Sequence, residues 1–542
     1  MLTRRAFHTR LMAALAASTL PLPGFGATPD ADLYLNRLTF GATPDDRAEF
    51  GDPAVWLEAQ LALPASDPAL TKRLIDARLR ISYAAGGDEN GHKWPATDEL
   101  RPLTALAADP AALLYCIDWE QGMDYAERSR PAYEVIAASI IRAVHAPAQL
   151  REVMTQFWHD HFSVNAQKDE FCAAFFASHD AVMRDNAFGN FRAMLGQVAR
   201  SPAMLYYLNN ADSRASPANE NYARELLELH TLGAGNYLND RYDDWASVPR
   251  DAAGLAVGYL DLDVYEVARA FTGWSVADGR SLSEGVNAEK TGRFGYVEAW
   301  HDPYQKRVLG VEFTPNRAPM QDGEQVLDLL ASHPGTARFI CTKIARRLLA
   351  DQPDAALVDD LATVFLAARA APDQIAQVIR ALVLHKDFGA TPPQKLRRPF
   401  EFLVALYRAT GAEVTGTENA QQWQLMRAGW RQHEYGPPTG HPDTADKWVG
   451  ASSLNRLVDL ALYAHDGWFG VCTVDFAEAP GETIGGYANR WAAGLGSAQA
   501  DWLGDLGIDP AGAMADLTDD ERMGIATGTV AFAALTPQFL LR

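Results

Sequence analysis

From about residue 131 to 209 apolar residues recur at helical spacing, interrupted only at Ala146-Pro147, 186–190 and Ser201-Pro202. A block this long with so few breaks commits the chain to a core of packed helices. The same period appears earlier in Tyr34, Leu35, Leu38 and in Trp56, Leu57, Leu61, on either side of Thr43-Pro44. It returns in Val264, Val267, Ala268 and Phe271, stopped by Gly273, and again over 321–331, 335–351, 355–370, 373–384, 400–410 and 452–465, with more helices after 498. Pro392-Pro393 and Pro399 punctuate the joins. Strand-like alternation is confined to 292–314, which reads as a small β-hairpin or ribbon. The polar stretch around 86–91 and the acidic, Gly- and Tyr-rich excursion 234–262 read as loops, and no repeat of constant period occurs. The expected fold is mainly α: one large multi-helix domain over 28–542 with a small β-hairpin or ribbon insertion.

The first 27 residues have a different character. Arg4-Arg5 precede the short apolar run Leu11 to Leu20, and then come Pro21, Pro23 and the small residues Gly24, Gly26 and Ala27. This is the layout of a cleaved export signal, and the paired arginines followed by x-Phe resemble the twin-arginine type, without the lysine usual after the Phe. The chain is therefore expected to be exported, to the periplasm. No later segment reaches 18 uncharged apolar residues, so a mature chain without a membrane span is expected. The formal charge is −21, and loss of a leader with three arginines and no acids makes the remainder more acidic still. Such a surface repels phosphate backbones and excludes nucleic acid as a partner class. Cys116, Cys172, Cys341 and Cys472 are far apart in sequence, with no Cys-x-x-Cys, which argues against a zinc ribbon or a covalent haem. Gly-x-Ser-x-Gly, Gly-x-Gly-x-x-Gly and P-loop patterns are absent too.

Two stretches concentrate chemistry. In 219–233, Asn221, Arg224, Glu225 and Glu228 share one face of a helix, while Ala223, Leu226, Leu227 and His230 form the other, mostly apolar face. Two readings stay open. The polar face is either a solvated surface with Arg224 and Glu228 paired at i, i+4, or the lining of a pocket. In the second case Glu225 and Glu228 are metal ligands or acid/base groups, and Asn221 and Arg224 hold them. His230 points away and reads as a core or helix-end histidine. A di-iron Glu-x-x-His pattern is absent, since Thr231 stands three residues after Glu228.

In 155–164, His159 and His161 flank Asp160 between large aromatics. His-x-His is a metal-ligand spacing in extended chain, but on an α-helix the two imidazoles diverge by about 200°. A shared divalent ion therefore requires a helix end here, which 163–165 can supply. The alternative is a pair of histidines hydrogen-bonded in an aromatic core. Between 420 and 450, Trp423, Trp430 and Trp448 accompany a Tyr435 to Pro442 stretch rich in Gly and Pro, which reads as a cover over the core rather than a ligand platform.

Taken in order, several motifs resemble a bacterial family, domain of unknown function 1800. They are 35–41 (LNRLTFG), 157–162 (FWHDHF), 187–192 (AFGNFR), 201–205 (SPAML), the 219–233 helix, 268–274 (ARAFTGW), His301-Asp302 with Lys306 and Leu309-Gly310, 397–401 (RRPFE) and 437–440 (PPTG). Two departures are the Asp160 carboxylate, where the family often has Asn, and the 234–262 excursion. The resemblance implies an exported, largely helical protein, often encoded beside proteins resembling the alkaline phosphatase superfamily (domain of unknown function 1501), and carries no reaction with it. Two functions are therefore weighed. One is an exported metal-dependent enzyme using His159, His161, Glu225 and Glu228. The other is a non-catalytic partner or maturation factor for an exported alkaline-phosphatase-like protein.

Overall fold

The computed structural model describes residues 30–542 except 242–243, 253, 418, 464–471, 497–501 and 506. The expected leader, 1–27, lies outside the described residues. The chain is mainly α, and one contiguous apolar core runs from Leu38 near its start to Phe539 near its end. Among the described residues no helix is long and apolar enough to cross a membrane.

Helix α1 (Ala31–Leu38) opens the fold, capped by the Asp30 carboxylate on two backbone N–H groups. The long helical block becomes α2 (Arg130–His145), α3 (Gln149–His161) and α4 (Glu170–Asp185), packed on one another; the breaks at Ala146-Pro147 and Asn186 fall where anticipated, and a further break over 162–169 separates α3 from α4. Helix α5 (Glu220–Glu225) runs directly into a π-helical turn over Leu226–Thr231. In that turn Thr231 Oγ1 donates to the Leu226 carbonyl, and Gly233 N–H donates to Leu227. Helix α6 (Asp261–Ala270) lies against α5. Later come α7 (Pro334–Leu348) and α8 (Pro399–Ala409), the latter started by Glu401 reaching back to the Arg398 N–H.

The β structure is more dispersed than one ribbon. Strand β1 (Arg78–Tyr83), which alternates exposed and buried, pairs antiparallel with β2 (Thr97–Pro102) on either side of the polar 86–91 stretch, outside the one zone where strands were expected. Strands β3 (Trp274–Asp278) and β4 (Lys290–Tyr296) form a second pair, so the first half of 292–314 pairs upstream rather than with its own second half. The hairpin that remains is β5 (Lys306–Val308) with β6 (Val311–Phe313). Its two-residue turn, Leu309-Gly310, has φ of 50° and 81°, matching the primed turns that fit strand twist. Among the described residues, the 234–262 excursion holds short 3-10 turns and single bridges up to Leu260, and α6 begins at its end.

Candidate functional site

Helix α3 does end where a shared metal site would require, at His161 with Phe162 as its cap, but both histidines are still inside it. Their rings accordingly diverge. His159 Nε2 meets Asp180 Oδ1 at 3.0 Å, and Asp180 Oδ2 receives Arg142 at 3.0 Å. The His433 ring lies 4.3 Å from the His159 ring and the His179 ring 5.9 Å, so His159 belongs to a buried network beneath α4. Burial would raise the Asp180 pKa, but His159, Arg142 and Arg184 hold it far below the carboxylate range.

His161 points the other way. Its Nε2 lies 3.1 Å from the His230 carbonyl, which can only accept, so that nitrogen carries the proton. Its Nδ1 lone pair then faces the Lys343 ammonium of α7 at 2.9 Å. The His230 carbonyl is free for this bond because the π turn stops at Gly233, leaving it among the carbonyls no helix can satisfy. The 155–164 and 219–233 segments thus meet, through His230, the residue the helical period set apart from the polar face. The His230 ring is fully buried, with neither nitrogen partnered. Burial and the Lys343 charge push its pKa down to about 3, and the same causes, with His230 added, hold His161 well below its usual value.

The polar face of α5 has other partners. Asn221 is exposed. Arg224 reaches Asp261 at 3.1 Å and lies 3.6 Å from Glu220, so the expected pairing with Glu228 is replaced by partners on the preceding turn and on α6. Glu225 and Glu228 are half-buried, and burial with the neighbouring Glu228 charge raises the Glu225 pKa. Neither carboxylate hydrogen-bonds to His159 or His161 among the described residues. No group of three or more His, Cys, Asp or Glu side chains there is arranged to hold a metal ion. The four cysteines are buried and unbridged.

A pocket of about 320 Å³ opens beside His161, bounded by Asp160, Lys343 and Arg346 and by the loop carrying Gly440, His441 and Asp443. Two of the resemblance segments, 157–162 and 437–440, line it, and a third, 397–401, reaches Asp160 through Arg398. Asp160 sits between Arg398 Nη1 at 2.9 Å and His441 Nδ1 at 3.1 Å. Burial alone would raise the Asp160 pKa, but Arg398 and His441 hold it far below the carboxylate range. The carboxylate fixes the proton on His441 Nδ1, and Nε2 is left without a partner. The His441 ring stacks on Trp430 at 3.7 Å and 9°, which sets its plane. Gly440 allows this approach. Its φ is +69°, and a Cβ there would collide with the Asp160 carbonyl. Below the pocket Glu401 is clasped by Arg347, Arg398 and Arg542. Trp430 and Trp448 are buried and Trp423 is 48% exposed.

Lys343 is the group most altered by this setting. Burial pushes its pKa down to about 8, against the opposing pull of Asp160 and Asp443. It nevertheless stays partly open to the pocket. Sequence reasoning passed over Lys343 and Arg346. Their one signal was a lysine within the otherwise apolar 339–345 run, which a helical count takes for a snorkelling surface residue. His441 was taken as part of a cover, which it is, and Asp160 as a spacer between histidines.

Fold and pocket define a large helical protein with a charged pocket assembled from chain segments far apart in sequence. The chain belongs to the DUF1800 family, described as a protein of unknown function, whose model matches residues 33–536. No curated protein and no solved structure matches it.

Proposed function

We propose that the chain is an exported enzyme carrying out proton-transfer chemistry on a small ligand held in the pocket beside α3. The observation that carries this reading is the pairing of Lys343 with His161 in a pocket that also holds the Asp160–His441 dyad. An amine titrating near neutrality and an imidazole with one fixed tautomer are what general acid–base chemistry requires. His441, oriented by Asp160, serves as base through Nε2, which is buried and has no partner within the fold. Lys343, oriented by His161, serves as the second proton-transfer group. Asp160 and His161 act through their partners and are positioning residues.

The divergence of His159 and His161, and the separate pairing of Arg224, favour a version of the enzyme without an ion shared between 155–164 and 219–233. Glu225, with its raised pKa beside Glu228, is retained as a second acid/base candidate outside the pocket. An exposed aromatic patch between Trp423 and Trp448 would have favoured the partner or maturation-factor reading; Trp430 and Trp448 are buried there.

The test compares the folded wild type with Lys343→Met and His441→Gln on a pooled small-molecule extract, followed by mass spectrometry. A conversion present in the wild type and lost in both variants is expected. Equal conversion by all three would sink the proposal. Elemental mass spectrometry on the exported protein decides the metal version: a stoichiometric ion lost in His159→Ala/His161→Ala would restore it. Fractionation of a strain carrying Arg4→Lys/Arg5→Lys tests export, with loss from the periplasm expected.

A further inference from the structure

The wall of the pocket is an island of positive charge in a chain of formal charge −21. The carboxylates in and around it are already answered from within the fold. Asp160 has Arg398 and His441, and Glu401 has three arginines. Asp443 has Lys395 at 3.3 Å and Arg347 at 3.9 Å, and Asp351 has Lys395 at 2.6 Å. Two cations remain. Lys343 bonds only the neutral His161 ring, and the one bond of Arg346 goes from Nε to the Asp351 carbonyl at 3.0 Å. Neither makes an ion pair among the described residues, and the Arg346 fork keeps its terminal amino groups open. The two stand at i, i+3 on α7, on one face, and both line the pocket.

Placing cations in a cavity without a directly paired carboxylate is costly, and two of them side by side leave charge that the more distant Asp160 and Asp443, already paired elsewhere, only partly offset. The cavity lies at the small end of ligand sites, too narrow for a polymer. We propose that this pocket binds a small molecule through an oxyanion group, a carboxylate, phosphate or sulfate, seated between Lys343 Nζ and the Arg346 guanidinium. Arg346 offers the planar fork that such groups accept in pairs, and Lys343 a compact charge. The proposal rests on the reading of this pocket as the working site and names the ligand chemistry it takes.

Calorimetric titration of the full mature chain with inorganic phosphate, sulfate and acetate, at constant ionic strength in sodium chloride, tests it. At least one anion is expected to bind once per chain. Arg346→Gln is expected to weaken that binding about tenfold or more, the scale of a charged hydrogen bond. Arg346 also ties down the segment after α7 through the Asp351 carbonyl, so Arg346→Lys serves as the variant that keeps the charge, with affinity within a few-fold of wild type. Arg380→Gln, in a separate surface cleft, is expected to change nothing. Equal affinity in wild type and Arg346→Gln, or no anion bound better than chloride, overturns the proposal. Anion binding in a protein whose Lys343→Met variant still turns over its substrate removes the acid–base reading and leaves the anion site standing. Lysine-dependent turnover without anion binding does the reverse.

Discussion

His161 gives its Nε2 proton to the His230 carbonyl at 3.1 Å and takes a hydrogen bond at Nδ1 from Lys343 at 2.9 Å. One imidazole therefore ties the end of a π turn to a lysine on a helix more than a hundred residues later. Because the carbonyl fixes the tautomer, His161 cannot give Lys343 a proton without first losing its own bond. The lysine is held as a donor, and burial then lowers its pKa.

The first prediction concerns that lysine. Its folded pKa of about 8 lies below the unfolded value of about 10.4. Between these values the unfolded chain binds the extra proton, so wild-type stability should rise with pH across the window, and the penalty is present in full below about pH 8. Lys343→Met should remove it, making the protein as stable as wild type or more so at pH 7, by on the order of 1–2 kcal/mol, while abolishing turnover. Urea unfolding at pH 7 and pH 9.5 reads both effects. A variant markedly less stable at pH 7 would show that the ammonium supports the fold rather than straining it.

Acid should unfold the protein early. Burial holds His145 at about pKa 4, His179 and His230 at about 3, and His161 and His433 well below their usual value. Each is neutral when folded and binds a proton on unfolding below about pH 6.5, so stability falls as pH drops through the range between the two values. One such group contributes about 1.4 kcal/mol per pH unit. His230 makes no side-chain hydrogen bond, so His230→Leu should flatten the acid limb and cost little at pH 7. An unchanged limb in that variant would mean His230 is not neutral in the fold.

Asp160→Asn keeps the shape of the side chain and removes its charge. Arg398 retains Glu401, so the expected loss is about 1–3 kcal/mol, below the usual cost of orphaning a buried cation. Because the folded pKa of Asp160 is depressed, its contribution is present above about pH 4 and disappears as pH falls through the folded value. The variant and wild type should therefore converge in stability only in strong acid. The pH profile of turnover should shift as well, because His441 loses the group that orients it.

Gly440→Ala sets a Cβ against the Asp160 carbonyl at a φ few other residues adopt. The loop must lift, and a loss of about 2 kcal/mol or more is expected, together with loss of anion affinity. Wild-type anion affinity in this variant would show that the loop has no part in forming the pocket.

The helices were legible because their apolar periods are long. Gln321–Ala331 and Pro399–Ala409 fall within a residue or so of the stretches the pattern marks. The face of 219–233 was legible as well, with Tyr222, Ala223, Leu226, Leu227 and His230 buried. The π turn left no trace in the pattern, because one added residue per turn over Leu226–Thr231 shifts no apolar position far enough to break the stripe. Pairing of β4 with β3 was hidden for another reason: alternation marks a strand and says nothing of its partner. The pocket was the least legible element. Lys343, Asp160 and His441 each look ordinary locally, and their chemistry comes from neighbours that only the tertiary fold supplies.

Asp160 and His441 are 281 positions apart, and His161 and Lys343 are 182. No proteolytic fragment or transplanted segment can carry this site, and every link of the chain between them must close before it exists. If Arg4-Arg5 open an export signal that sends the protein across the membrane already folded, the pocket is complete on the inner side, and its first encounter with an anion takes place in the cytoplasm.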